Sequence, residues 1–400
     1  MKIAQINAVY GIGSTGRTTK ELAESLACNG HECFVGYSIS NVSYQKEGVT
    51  LYQIGNALDH KAHALFSRLF GLQAYFSSKA TKNLIKELEI FKPDVVHLRN
   101  LHANYINLPL LLKWLGKNSI PTVISLHDCW IFTGKCTHYT VQNCYKWQTG
   151  CSACSQLKKD NNSWLFDRTN KLWKDRKSLF EKIDNLAVVG VSNWITDQAK
   201  SSTLKSAKII KRIYNWIDLK TFYPRECEKS DNFSVLLISA GWSKNSTKTQ
   251  DMLALANGLN ENMQIILAGS VESDIELPKN VKPIGYVNST EDLAKLYSQV
   301  DVYVHLSQED TFGKVIAEAL ACGTPAIVYN STACPELVGN GCGYVVKPRD
   351  INAVSNAVNE VYKNGKEKYS ANCVEFAKSN FEKDYLIKET LSLYNELLRG

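Results

Sequence analysis

The chain has 400 residues, and at about 100 to 200 residues per compact domain that length accommodates two. Hydrophobic residues make up 44% and charged residues 21%, with 9 prolines and no biased tract, which excludes an intrinsically disordered, collagen-like or coiled-coil chain. The net charge of +7 divides unevenly: 29 Lys and Arg against 16 Asp and Glu over residues 1–220 make +13, and 17 against 23 over 221–400 make −6.

The opening MKIAQINAVYGIG lacks the apolar run of a signal peptide, and no apolar window approaches the roughly 18 residues that span a bilayer. The expected location is therefore the cytoplasm, where the 12 cysteines are thiols or metal ligands rather than disulfides. A first strand is predicted over 3–9. It runs into Gly11-Ile12-Gly13-Ser14-Thr15-Gly16-Arg17-Thr18 and a helix predicted over 18–28. The glycine spacing matches a dinucleotide loop by letter, but residues 37–39, where the ribose-binding acid would stand, are Tyr37, Ser38 and Ile39, which argues against NAD. Arg17 replaces the Lys of a phosphate-binding P-loop. What the loop retains is glycine backbone that approaches closely and a helix N-terminus whose free N–H groups suit an anion, or else a tight turn without a ligand.

Strands are predicted next over 33–37, 51–54, 95–98, 122–126, 187–191 and 209–214, with a helix over 81–91. Such Val- and Ile-rich runs alternating with helical patterns imply parallel sheets. His127 closes the 122–126 strand. Cys129, Cys136, Cys144, Cys151 and Cys154 then crowd into a stretch without periodicity. Cys136, Cys144, Cys151 and Cys154 are a candidate tetrahedral structural zinc site, with His138 as an alternative ligand and plain buried thiols as the other reading.

After a charged, proline-bearing stretch over 223–231 the strand pattern restarts at 235–239, 265–268, 283–286, 302–306, 326–329 and 344–346. Two doubly wound domains are expected, with a boundary near residue 222 and a ligand in the cleft between them. The most informative segment is Ser307 to Pro325, read as strand, turn, helix, turn, strand. Gly313 turns the chain into the helix, Asp310 precedes it and Glu318 lies inside it, so both carboxylates can accept hydrogen bonds from the hydroxyls of one sugar or ribose. An amphipathic helix over 385–398 ends the chain.

This segment resembles the retaining family 4 glycosyltransferases of the GT-B fold, whose signature is an acid, seven residues and a Glu with Phe-Gly between. Here these are Asp310, Phe312-Gly313 and Glu318, followed by EALACGTP and Pro335-Glu336. Gly13-Ser14-Thr15-Gly16-Arg17 resembles the family's first glycine loop. Val191-Ser192-Asn193-Trp194 and Asn215-Trp216-Ile217-Asp218 resemble the segments leading into its second domain, with Trp216 where Gly is usual. The resemblance implies that Glu318 holds the donor ribose, that Asp310, Phe312, Gly313 and Lys314 form the donor-sugar loop, and that His127 is an active-site histidine. The usual Lys-Gly pair is replaced by a segment in which Lys244, and after it Lys248, are the candidates for the donor pyrophosphate.

The implied architecture is α/β with two Rossmann-like domains facing a cleft. Residues 1–222 are the acceptor side, with a cysteine-rich insertion over 129–157 similar to one in a bacterial polysaccharide branch. Residues 223–384 bind the nucleotide sugar, and 385–400 close back on the first domain. The implied activity is hexosyl transfer from a nucleoside diphosphate sugar, without NAD, to a glycan or lipid-linked acceptor in capsule, exopolysaccharide or lipopolysaccharide O-antigen synthesis. The basic first half suits peripheral contact with an anionic inner membrane face, and its dispersed charges argue against nucleic acid. A nucleotide-sugar-binding protein without turnover and an epimerase of the same fold are the alternatives.

Overall fold

Strand β1 (Lys2–Tyr10) is followed by β2 (Glu32–Ser40), β3 (Val49–Gln53), β4 (Val95–Leu98), β5 (Thr122–Leu126), β6 (Leu186–Gly190) and β7 (Ile209–Arg212). They form one sheet in the order β3-β2-β1-β4-β5-β6-β7, and every pairing among the described residues is parallel. The structure is a computed structural model describing residues 1–42, 44, 46–228 and 231–399; Lys229 and Ser230 of the charged, proline-bearing stretch lie outside the described residues. Strands β4, β5 and β6 are buried along their whole length. That is why they read as unbroken apolar runs rather than as alternating ones.

A second sheet contains β8 (Phe233–Trp242), β9 (Met263–Val271), β10 (Val281–Gly285), β11 (Val302–His305), β12 (Ala326–Tyr329) and β13 (Gly343–Val346), in the order β10-β9-β8-β11-β12-β13 and again parallel among the described residues. Each sheet reverses its strand order once, between β1 and β4 in the first and between β8 and β11 in the second. Doubly wound sheets bind ligands at the carboxyl ends of the strands beside such a reversal.

Two compact units result, Met1–Ile213 with Ile387–Gly400, and Tyr214–Leu386. The division falls earlier in the chain than residue 222. Tyr214 sets its ring against Phe312 and Phe381, with centroids 5.7 and 5.4 Å away, and the Ile217 N–H donates to the Phe381 carbonyl at 2.8 Å. The last helix is Lys383–Arg399, and its Tyr394 hydroxyl lies 2.6 Å from Nδ1 of the fully buried His97 in β4.

Two helices depart from expectation. The first starts at Gly13 rather than at 18, so the glycine loop is itself the first helical turn. The second, Ala57–Phe70, lies where no helix is read from the sequence; it is capped by Asn56, whose side chain accepts from the Leu58 and Asp59 N–H groups, and closed by Gly71 in the left-handed region. Its apolar residues are not buried, so it offers no core-facing stripe to read. Among the described residues no helix is long and apolar enough to cross a membrane.

Candidate functional site

In the Tyr214–Leu386 unit, β11 ends on His305, beside the strand-order reversal. The Tyr303 hydroxyl lies 2.8 Å from His305 Nδ1, and His305 Nε2 lies 2.8 Å from Asp310 Oδ2. An ionised carboxylate only accepts, so Nε2 carries the proton given to Asp310. Burial first, and then the charge of Asp310, pushes the Tyr303 hydroxyl well above its ordinary range, so it stays protonated and donates to Nδ1. Burial alone would raise the Asp310 carboxyl, but hydrogen bonds from His305 and Ser307, with the charge of Lys248, hold it below its ordinary value. The Asp310 N–H donates to Thr332 Oγ1 at 3.0 Å, fixing the turn as well as the carboxylate. A sequence reading of motifs singles out Asp310 and passes over Tyr303 and His305, although the strand-end histidine five residues before the acid is the signal for this chain.

Gly313 caps the helix Lys314–Ala321 in the left-handed region, φ 83°, and among the described residues no side chain caps it. A Cβ at Gly313 would come within 2.8 Å of Ile316 Cδ1, so both the angle and the space favour glycine. Phe312 is buried and packs its ring on Tyr214 and Phe381. It anchors the turn from below. Glu318 is 2% exposed, and its charge, with that of Asp310, adds to burial in raising Tyr303. The two carboxylates thus lie in electrostatic reach of one buried phenol. Lys314 opens the helix half-buried.

The two lysine candidates separate. Lys248 lies 3.5 Å from Ser239 Oγ at the reversal, and its charge bears on Asp310. Lys244 pairs with Asp274 at 3.6 Å while its N–H donates to Glu272 at 2.9 Å.

In the other unit, Gly13, Ser14, Thr15, Gly16 and Arg17 form the first turn after β1, with Ile12 at the cap position and no side-chain cap among the described residues. A Cβ on Gly16 would lie 3.1 Å from Val9 Cγ2 and 3.2 Å from the Gly11 nitrogen, so this residue lets the helix approach the strand end. Arg17 is half-engaged, its Nε donating to the Gly13 carbonyl at 3.3 Å. Arg99 follows β4 and is buried, donating to Thr18 Oγ1 at 2.9 Å, to Gln5 Oε1 at 3.3 Å and to His127 Nε2 at 3.3 Å. A guanidinium has no acceptor, so His127 carries its proton on Nδ1. Arg99 was not singled out from the sequence, although a lone Arg closing an apolar strand is a visible signal. Burial and then the Arg99 charge lower His127 to about 3. It is a neutral imidazole at neutral pH.

The four cysteines do not form the expected zinc ligand set. Among the described residues the one group of three or more metal-type ligands is His305, Asp310 and Cys334, where the two hydrogen bonds already described occupy both imidazole nitrogens. Cys136 is instead hydrogen-bonded to Cys154, and Cys151 Sγ accepts from the Gly134 N–H at 3.2 Å. None of the 12 cysteines, all among the described residues, is in a disulfide. The segment also has a core of its own: Phe132 and Tyr139 pack on Trp147 at 5.0 and 5.2 Å, and Lys135 Nζ donates to the carbonyl of Gln156 at 2.7 Å.

Two buried histidines, His63 and His97, and the half-buried His127 give this unit a pH signature. Burial lowers His63 to about 4 and, with Arg99, His97 well below its ordinary value; His127 falls to about 3. Below pH 6.5 the unfolded chain binds protons that the folded one refuses, so stability is full above that pH and is lost as pH falls toward 4. Denaturant unfolding at pH 7 and pH 5 is expected to differ by a few kcal/mol, on the order of one per histidine per pH unit. An unfolding free energy that is level between the two would rule out neutral burial.

The profile of Glycosyltransferase Family 4 matches residues 15–221 of this chain, and that of Glycosyl transferases group 1 matches residues 254–380. The chain covers 65%, 56% and 19% of the length of three curated bacterial relatives, less than two thirds of each. The last of these, O-antigen chain mannosyltransferase B of Escherichia coli, is 40% identical over 75 residues, 19% of either chain. Sucrose-phosphate synthase of Thermosynechococcus elongatus superposes with a TM-score of 0.69 at 16% identity, over 100% of this chain and 99% of its own. HepE of Anabaena in complex with UDP and glucose superposes with a TM-score of 0.63 at 15% identity, over 99% and 100%.

Proposed function

The chain belongs to glycosyltransferase family 4 and has the GT-B fold, and from that premise we propose that it is a retaining hexosyltransferase using a nucleoside diphosphate sugar. The acceptor is a growing glycan or a lipid-linked glycan of surface polysaccharide synthesis, met in the cytoplasm or at the inner membrane face. The observation that carries this reading is the Tyr303–His305–Asp310 chain, ending beside the Gly313-capped helix that holds Glu318.

In transfer, the bond between the sugar's anomeric carbon and the diphosphate oxygen breaks, the acceptor oxygen bonds to that carbon, and the acceptor proton passes to the departing diphosphate. Charge grows on the diphosphate, where helix N–H groups and a lysine stabilise it. Lys248 is the favoured cation because it already acts on Asp310, with Lys244 held by Asp274. Glu318 accepts from the ribose hydroxyls. Asp310, kept ionised and aimed by His305, accepts from the donor sugar in the loop formed by Phe312, Gly313 and Lys314. His127, neutral and proton-bearing at Nδ1, offers a hydrogen bond without carrying charge. The turn Gly13–Arg17 takes a phosphate on the acceptor side.

Calorimetric titration with UDP, GDP, ADP, CMP, NAD and ATP tests the reading. One nucleoside diphosphate is expected to bind tightly, and Lys248→Ala to weaken it about tenfold, the worth of one charged hydrogen bond at the lower end. Binding of NAD or ATP alone would overturn it. Binding without transfer to any glycan acceptor would favour a nucleotide-sugar-binding protein, and interconversion of the free nucleotide sugar an epimerase.

A further inference from the structure

The Met1–Ile213 unit holds a polar cavity of about 310 Å³ that the functional reading leaves unused. Arg68 near the end of the helix Ala57–Phe70, Gln73 just beyond it, Asn104 in the loop after β4, and residues 159–162 just past the cysteine-rich insertion form its walls. That volume is at the lower end of the range for small-molecule sites, about 300 to 1,000 Å³, which are lined mostly by apolar side chains. Amides and charges line this one, so its ligand is polar.

The lining is held in place while several of its groups stay open. Gln73 is 7% exposed; its Nε2 donates to the Asn161 carbonyl and its Oε1 accepts from Trp130 Nε1 at 2.8 Å. Asn161 Nδ2 donates to the Lys135 carbonyl at 3.2 Å, and Asp160 Oδ2 accepts from the Thr137 N–H at 2.6 Å. Arg68 and Lys159, by contrast, have no acidic partner among the described residues, and there the Asn104 and Asn162 side chains make no hydrogen bond. Asn104 and Asn161 stand in the left-handed region, φ 61° and 49°, which Asn tolerates; Ala103 stands there too, at 91°, and has no such excuse. Backbone strain of this kind collects at ligand sites.

The charges and amides select the ligand. Arg68 and Lys159 against Asp160 leave one positive charge, which balances a carboxylate better than a diphosphate. An amide offers both N–H and carbonyl, and a sugar hydroxyl both donates and accepts. An ionised diphosphate only accepts, so it would leave the amide oxygens unmatched and oppose Asp160. The match is a sugar ring bearing one carboxylate. The cavity also shares its frame with His127: the Trp130 N–H donates to Asp128 Oδ1 at 2.8 Å, and His102, two residues before Asn104, sets Nε2 2.7 Å from Asp128 Oδ2.

We propose that this cavity binds a sugar residue of the uronic acid class in the acceptor glycan. The functional reading above supplies the acceptor, and the cavity by itself supplies the ligand class. The test is a ligand-observed NMR titration of the full chain with methyl glucuronoside, with methyl glucoside, which has a hydroxymethyl group in place of the carboxylate, and with inorganic pyrophosphate. The glucuronoside is expected to bind about tenfold more tightly than the glucoside, the worth of one charged hydrogen bond at the lower end. Arg68→Gln and Lys159→Gln are each expected to remove most of that preference, with an unchanged circular dichroism spectrum and unchanged glucoside binding. Asn104→Gly keeps the left-handed backbone and is expected to weaken both glycosides alike. An equal response to the two glycosides, or a full glucuronoside preference in both Gln variants, would overturn the proposal. So would pyrophosphate that displaces the glucuronoside and binds more tightly, because the cavity would then be a phosphate site. Nucleotide titration keeps the two readings apart. Glucuronoside preference in a chain that binds no nucleotide would leave the ligand class standing and remove the acceptor role with the transferase reading, and nucleotide binding with equal glycosides would do the reverse.

Discussion

Glu318→Ala is expected to abolish sugar transfer while the protein still folds, and Glu318→Gln to weaken binding of the nucleoside diphosphate about 10- to 100-fold. The glutamine keeps the shape of the side chain and removes its charge, so in the proposed role what is lost is the difference between charged and neutral hydrogen bonding to two ribose hydroxyls, about 1.5 to 3 kcal/mol. Alanine removes both bonds and opens space in a helix whose Glu318 is 2% exposed. A moderate stability loss accompanies it, and thermal unfolding of both variants separates that loss from the binding effect. The charge of Glu318 also reaches Tyr303, the start of the chain that aims Asp310, so the second acid feels the change. The comparison that decides is calorimetric: a Gln variant that binds and turns over like the wild type would remove Glu318 from the site.

Arg176→Ala is expected to cost the Met1–Ile213 unit about 3 kcal/mol or more and to open the cysteine-rich segment to proteases. Arg176 is 2% exposed, in the helix Thr169–Phe180, with its guanidinium 3.7 Å from the Trp130 ring centroid. Its Nη1 donates to the carbonyls of Trp130 and, at 2.8 Å, of Thr133. Burial lowers its pKa to about 10, so it is still a cation at neutral pH, one that the loop backbone and an aromatic face solvate. Removal leaves two buried carbonyls without their donor and a Trp over a void. Arg176→Lys retains charge without the planar fork and is expected to recover less than half of the loss. Urea unfolding gives the stability and limited trypsin digestion the loop opening; a midpoint equal to the wild type's would show that the segment is held by its aromatic core alone. Nucleotide binding by the Tyr214–Leu386 unit is expected to survive, since Arg176 belongs to the other unit.

The segment that Arg176 organises is also where the sequence misleads. Cys136, Cys144, Cys151 and Cys154 have a spacing that zinc accepts, and spacing is all that a sequence displays. Whether four sulfurs converge depends on the path of the intervening chain, and here Trp147, Lys135 and Arg176 direct that path to a packed aromatic core. The helix Ala57–Phe70 escapes for the opposite reason. Reading helices by a buried apolar stripe assumes that apolar residues face the core, and this helix turns Leu58, Leu65, Phe66 and Phe70 outward.

The strands were legible because parallel strands covered on both faces must be continuously apolar, and such runs as 95–98, 122–126 and 326–329 keep their expected bounds to the residue. The positions of Asp310, Gly313 and Glu318 around one turn were legible too, because a strand-turn-helix with a left-handed glycine is local geometry that neighbouring residues dictate. The partners were not. His305 aims Asp310 across five residues, but Arg99 reaches His127 across 28 and Thr18 across 81. Those meetings follow from the strand order, which brings the ends of β1, β4 and β5 side by side. Strand order is a global choice made by burial over the whole chain. Sequence alone therefore determined the α/β class and which residues could carry chemistry, while the tertiary structure decided which imidazole stays neutral, which carboxylate is held ionised and which apolar residues remain on the surface.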